Sequence, residues 1–194
     1  MLDAYTEPEI IAWKFRVGKA KAAKVSEEAL RFGTIIDQLI QEDIKKGFLV
    51  RQIGLEPSVD NAIAGWQKFK AEHPEYVGGV EQIQAELVSG SLVGHPDIVH
   101  IKEISDIKSS RTLTIRPKWV VQASKYAVMK ERDRAAIILL SKETPTYMYV
   151  WWDGPVLEYF GKTVFGAYET ILDSQEVTRE MVRNYMEKES LGAL

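Results

Sequence analysis

Residues 92–110 constrain the fold more than any other segment. They hold two β-rich stretches that reverse around Ile101 and Lys102, and they carry Asp97, Asp106 and Lys108. A turn centred on Ile101 and Lys102 sets Asp97 opposite Asp106 and His95 opposite Lys108 on one face of a hairpin, with Pro96, Ile98 and Ile107 on the other. Like charges directly opposite one another destabilise a sheet unless something positive stands between them. A hard divalent cation would do so, since Mg2+ is held by one or two carboxylates while waters and substrate phosphate oxygens fill its remaining places. Lys108, on the same face, would orient or polarise an attacking water, or neutralise charge on a transferring phosphate. A solvent-facing hairpin side with scattered charges would show the same spacing.

Pro96-Asp97 followed by Asp106-Ile107-Lys108 resembles the PD-(D/E)XK nuclease signature, with Asp in the variable acidic place. Downstream, Gln122 and Tyr126 with three residues between them resemble the Q-x3-Y element of the RecB-like branch. Upstream, Gly33 to Asp37 resembles that branch's G-x3-H helix, with Asp where the family usually carries a metal-binding His. Val80-Glu81 resembles the acidic strand that precedes the family's G-x-x-D, here Gly94 to Asp97. The matched elements run in family order from about residue 33 to 126.

The resemblance implies a central mixed β-sheet flanked by helices, an α/β restriction-endonuclease-like core. It implies a metal-dependent deoxyribonuclease in which Asp97, Asp106 and the backbone carbonyl of Ile107 bind Mg2+ or Mn2+. Lys108 would then steer water onto phosphorus. Gln122, Tyr126, Ser109 and Ser110 would position the DNA strand. Asp37 and Glu81 are further metal candidates on the same grounds. A turn at Ser89-Gly90 instead puts Gln82, Gln84 and Glu86 on the Asp97 face and Glu81 on the other, so Glu86 competes with Glu81; a bulge would exchange them.

Composition bounds the chemistry. The chain has no cysteine, which excludes disulfides, thiolate nucleophiles, cysteine zinc sites and the four-cysteine iron-sulfur cluster of some RecB-like relatives. A cofactor is therefore expected to be oxygen-ligated. The net charge of -3 is unevenly spread: residues 108–134 hold eight Lys or Arg against two acids, a local +6 that leaves -9 for the rest. A basic segment beginning at Lys108, and including Arg111 and Lys125, is what a phosphate backbone would require. A solvated helix face next to a basic loop would give the same count. No phosphate-binding G-x-x-x-x-G-K-[ST] loop, G-x-S-x-G elbow or H-E-x-x-H helix is present.

At 194 residues and 45% hydrophobic, the chain can bury one core and is short for two. A single nuclease domain over 1–194 is expected: a helical part at 1–78, a core sheet with one helix at 79–152, and C-terminal helices at 153–194. Helical spacing marks residues 7–17, 26–46 with Ser26 as N-cap and Gly47 as stop, 57–72, 117–130, 155–171 and 176–188. Strands are expected at 80–88, 91–101, 103–109, 135–140 and 147–152. Trp151 and Trp152 are adjacent on a strand, so one of them should face the core while the other could stack on a base. No run reaches the roughly 18 apolar residues of a membrane span, and the first residues lack a signal-peptide layout, so a soluble intracellular protein is expected.

The resemblance implies a DNA exonuclease of recombination, repair or replication. The competing expectation is a nucleic-acid-binding or assembly protein that keeps the fold without turnover, motivated by Asp37 in the usual histidine position. A structure-specific endonuclease with the same site is a third. Exo- or endonuclease action and strand preference are left open by the residues, and so is a homo-oligomer of the kind ring-forming relatives make.

Overall fold

A computed structural model describes residues 19–47, 56–89, 92–164 and 166–167. The expected helices at 7–17 and 176–188 lie outside these residues. Helix α1 spans Lys19–Lys46. It runs straight through Ser26, because the Lys and Ala residues before it are strong helix formers that need no cap there. Its buried stripe is Phe32, Ile36, Leu39 and Ile40, whereas Leu30 is exposed. Gly47 ends the helix with φ +75°, a conformation glycine adopts without Cβ strain, and donates its N–H to the Asp43 carbonyl at 2.8 Å.

Helix α2, Pro57–Glu72, starts on proline and buries Val59, Ala62, Trp66 and Phe69. A short helix α3, Pro74–Gly78, follows His73 and was not expected from the sequence. One buried contact clamps α1 to α2: Asp43 accepts the Trp66 indole N–H at 2.7 Å and faces the Lys70 ammonium at 2.6 Å. That clamp fixes the helix that carries Asp37.

Among the described residues seven strands follow: β1 Val80–Ile83, β2 Leu87–Ser89, β3 Leu92–Gly94, β4 Ile98–His100, β5 Ile104–Ser110, β6 Arg134–Ser141 and β7 Tyr147–Asp153. The order β1-β4-β5-β6-β7 makes a five-stranded sheet, while β2 and β3 pair separately. The expected strands at 80–88 and 91–101 are each broken in two. Pro96 lacks the N–H a ladder needs, and Gln84 takes φ +52°. Ile98 pairs with Ser105 and Val99 with Ile104, the register that a turn centred on Ile101 and Lys102 dictates.

Helix α4, Pro117–Met129, carries the chain from β5 to the parallel strand β6; all other pairs in the sheet are antiparallel. β6 is buried from Ala135 to Ser141, as its unbroken apolar run requires of a central strand. After β7, helix α5, Gly154–Glu158, runs into a wider π-helical turn at Tyr159–Val164, within the helix expected at 155–171, of which residues 165 and 168–171 lie outside the described residues.

The sheet has a core on each face. Ile98, Ile107, Ile138 and Leu140 pack on α1 and α2, and Val99, Ile104, Ile137 and Leu139 pack with Trp119, Ala123 and Ala127 of α4. The result is an α/β domain with a five-stranded mixed sheet packed against helices. Among the described residues no helix is long and apolar enough to cross a membrane.

Candidate metal site

Asp97 sits just before β4, where the chain leaves Pro96, and both of its carboxylate oxygens are held. The backbone N–H of Ile107 donates to Oδ2 at 2.7 Å, and the Gln84 amide donates to Oδ1 at 2.6 Å. Asp106, in the middle of β5 beside Ile137 of β6, is 2% exposed. Its Oδ2 is buried and accepts no aligned hydrogen bond, although the Lys108 ammonium lies 2.5 Å away. Helix α1 brings Asp37 to the same place: Asp37, Asp97, Gln84 and Ile107 line one small cavity of about 10 Å3, room for about one water.

The electrostatics show three acids competing for one cation. Burial pushes the Asp97 carboxyl well above the usual carboxylate range, and Asp106 and Asp37 push the same way against the opposing pull of Lys108. Asp37 is pushed up to about 6, first by burial and then by Asp106, again opposed by Lys108. Burial alone would depress the Lys108 ammonium, but Asp106, Asp97 and Asp37 together hold it above the ordinary lysine value. Three carboxylates against one ammonium leave the cluster short of positive charge, which protons or a cation must supply.

The donors fit a sparse hard-cation site. All are oxygens, one of them is buried against the Lys108 ammonium, and the acids outnumber that single positive charge. Among the described residues no three His, Asp or Glu side chains close around a single point. Asp97 and Asp106 are thus the principal side-chain ligands on offer, with Asp37 nearby, a number usual for Mg2+.

The other sequence candidates distribute differently. Glu81 does not join the cluster: it is exposed and ion-paired with Arg132, whose Nε donates to the His100 carbonyl at 3.1 Å. Glu86 is exposed beyond β1, and the charges felt at Asp97 are those of Asp106, Lys108 and Asp37. The residue that reaches Asp97, from just past the end of β1, is Gln84, which sequence reasoning set on the right face but passed over because it carries no charge. β2 pairs with β3 as Leu87 with Gly94 and Ser89 with Leu92, two residues out of the expected register, and an even slip keeps the faces unchanged.

Gln122 donates to the Tyr126 hydroxyl at 2.9 Å on α4. A Cβ on Gly94 would overlap the Tyr126 ring, so the glycine before Asp97 is where that tyrosine packs. Ser109 and Ser110 are half-buried at the end of β5, and the Ser110 carbonyl accepts the Lys142 N–H at 2.9 Å. Arg111 is exposed and faces Glu143 at 3.6 Å.

Lys125, expected at the DNA surface, is instead buried on α4. The basic segment is also less open than its count suggests. Arg132 is paired with Glu81, and Arg134 and Arg116 lie over the rings of Trp151 and Trp119 at 3.9 and 5.2 Å. Trp152 is buried with its indole N–H on Ser124 Oγ at 2.8 Å, and Trp151 is exposed.

No known protein family matches the chain, and no curated protein matches it. Eleven chains among solved structures do. One, described as "Crystal structure of SSO0001", is 11% identical over 81% of this chain and 70% of that chain, with a TM-score of 0.39, a distant likeness.

Proposed function

We propose that this chain is a metal-dependent deoxyribonuclease of the RecB-like PD-(D/E)XK kind, hydrolysing phosphodiester bonds with Mg2+ or Mn2+. The observation that carries the reading is the gathering of Asp97, Asp106 and Asp37 around the Lys108 ammonium, with the buried Asp106 Oδ2 held against that ammonium at 2.5 Å. Asp97 and Asp106 would hold the ion together with the Ile107 carbonyl. Bound there, the ion supplies Lewis-acid polarisation of the phosphoryl oxygens. Asp97 is already oriented by Gln84 and Ile107, so no reordering of its carboxylate is needed. Lys108, ion-paired with Asp106, would orient the attacking water by donating to it and stabilise negative charge growing on the phosphate. Gln122 and Tyr126 would stand along the strand, and Arg111 would meet its backbone.

By resemblance the substrate is DNA and the action that of an exonuclease in recombination, repair or replication. One observation favours a second reading, a nucleic-acid-binding or assembly protein without turnover: Lys108 already rests against Asp106, and no three acids close on one point among the described residues. The two separate in an assay with labelled single- and double-stranded DNA, with ends free or closed, in Mg2+, Mn2+ or EDTA. Cleavage that needs the metal and disappears in a folded Lys108→Ala supports the enzyme. Unchanged binding in EDTA with no product at any metal level supports the binding protein. Cleavage of closed circles would turn the reading to a structure-specific endonuclease.

A further inference from the structure

Lys142 follows directly on β6 and carries a cation that the fold leaves without a counter-charge. In the parallel register Ser110 of β5 lies beside Ser141 of β6, which brings the next residues, Arg111 and Lys142, together at the end of the sheet. The Lys142 backbone is held on both sides: its N–H donates to the Ser110 carbonyl at 2.9 Å, and its carbonyl accepts the Asn61 amide at 3.1 Å. Its ammonium lies over the Phe32 ring of α1, 3.7 Å from the centroid, and among the described residues no carboxylate is paired with it. Burial lowers this ammonium below the ordinary lysine value, and the Arg111 charge lowers it further. Arg111 faces Glu143 at 3.6 Å, but both side chains are exposed, and such a pair contributes little. Two cations thus repel each other at the end of the strand that carries Asp106 and Lys108. The hydration that Lys142 loses against Phe32 is offset by no acid, and an incoming anion would offset it.

We propose that Lys142 and Arg111 form a second phosphate subsite, which grips a phosphodiester of the bound strand other than the one at Lys108. That the ligand is a nucleic acid rests on the function proposed above. At about 3.3 Å per residue, the three residues from Lys108 to Arg111 put roughly 10 Å of chain between the two cationic points, so each meets its own phosphate. Lys142 supplies a point charge fixed by its backbone and by Phe32, and Arg111 supplies a planar fork that can take two phosphate oxygens. Covering Phe32 needs only the methylene stem of Lys142 and not its charge, and Lys142→Met separates the two roles.

Fluorescence anisotropy of a labelled single-stranded oligonucleotide, titrated with the full chain in EDTA at several KCl concentrations, reads how many phosphates the protein holds. Lys142→Met should weaken binding several-fold and reduce the slope of log K against log salt by about 0.7, the share of one single-strand phosphate contact. Lys142→Arg should retain the slope. Arg111→Gln, at an exposed side chain, should act like Lys142→Met and serves if that variant does not fold. In Mg2+ both losses should appear as a raised KM with kcat within a few-fold. Lys46→Met, at the exposed end of α1 and about 21 Å of helix from Phe32, should leave slope and KM unchanged. An equal loss in Lys46→Met, or a slope and KM unchanged in the folded variants, overturns the subsite and, where wild type cleaves, leaves the nuclease reading standing. Binding without cleavage, with the slope reduced only at Lys142 and Arg111, keeps the subsite and removes the nuclease. Absence of both binding and cleavage in wild type overturns both. A loss confined to oligonucleotides with a terminal phosphate assigns the pair to a strand end and overturns the backbone contact.

Discussion

Glu103 and Asp106 lie three residues apart around the start of β5, and each is 2% exposed. Glu103 is fully provided for by neutral donors: the Tyr149 hydroxyl reaches both its oxygens at 2.8 and 2.9 Å, and Ser105 Oγ reaches one at 2.8 Å. Asp106 has no aligned donor on Oδ2, has Asp97 and Asp37 for neighbours, and shares one lysine with them. Hydroxyl donors fixed by packing make a buried carboxylate part of the scaffold, since nothing more is needed to keep it there. A carboxylate set among other carboxylates is stable only with a proton or a cation, and a protein keeps such an arrangement at functional sites. The same burial thus yields an anchor at one place and a proposed ligand at the other.

The largest expected effect separates the two by activity. Asp106→Asn or Lys108→Ala should lower metal-dependent DNA cleavage by at least on the order of 10²–10³-fold. Tyr149→Phe, which removes only the anchor's donor, should leave turnover within a few-fold. Comparable losses in both would break the distinction.

Stability should run the other way. Tyr149→Phe leaves Glu103 short of its donor to both oxygens and should cost about 1–3 kcal/mol in urea unfolding. Asp37→Asn, which relieves crowding among the acids, should be neutral or stabilising in EDTA at pH 7. A clear loss of stability in Asp37→Asn would show that the cluster is satisfied without a cation.

The pH dependence sharpens this further. Asp37 is raised from 3.8 to about 6 in the folded protein, so its contribution is present at low pH and is lost as pH rises through about 6. Without metal, the urea midpoint should therefore fall between pH 5 and pH 7, and Asp37→Asn should flatten that fall. Saturating Mg2+ should offset it, because the ion binds the ionised form. A wild-type midpoint that is level across this window in EDTA would sink the account of Asp37.

The smallest effect concerns the acid that the family pattern favoured. Glu81→Ala breaks a partly exposed pair with Arg132, so it should change stability by no more than about 1 kcal/mol and leave metal titration unchanged. A weakened metal affinity would return Glu81 to the site.

Much of this was legible in the residues. The turn at Ile101 and Lys102 fixed which residues of β4 and β5 oppose each other, since a two-residue period allows only one hairpin register for a given turn centre. The unbroken apolar run at Ala135 to Leu140 announced a central strand, and Pro57 and Pro117 announced helix starts. Gln84 was not legible as a site residue, because its value lies in a hydrogen bond to a residue thirteen positions away and in a backbone twist that no periodicity reveals. The burial of Lys125 escaped for a related reason: a lysine on a helix is read as solvated until the sheet it packs against is known.

The sequence by itself determined the strand faces, the pairing of Asp97 with Asp106 and the presence of Lys108 beside them, because these follow from local geometry within one hairpin. Only the tertiary structure decided which further groups complete the cluster. Asp37, a candidate only by resemblance, arrives on a helix held in place by Asp43, Trp66 and Lys70, and Gln84 lies just past β1, where the regular pairing of that strand has ended. Such convergence depends on the packing of elements far apart in the chain, and spacing along the sequence carries no record of it.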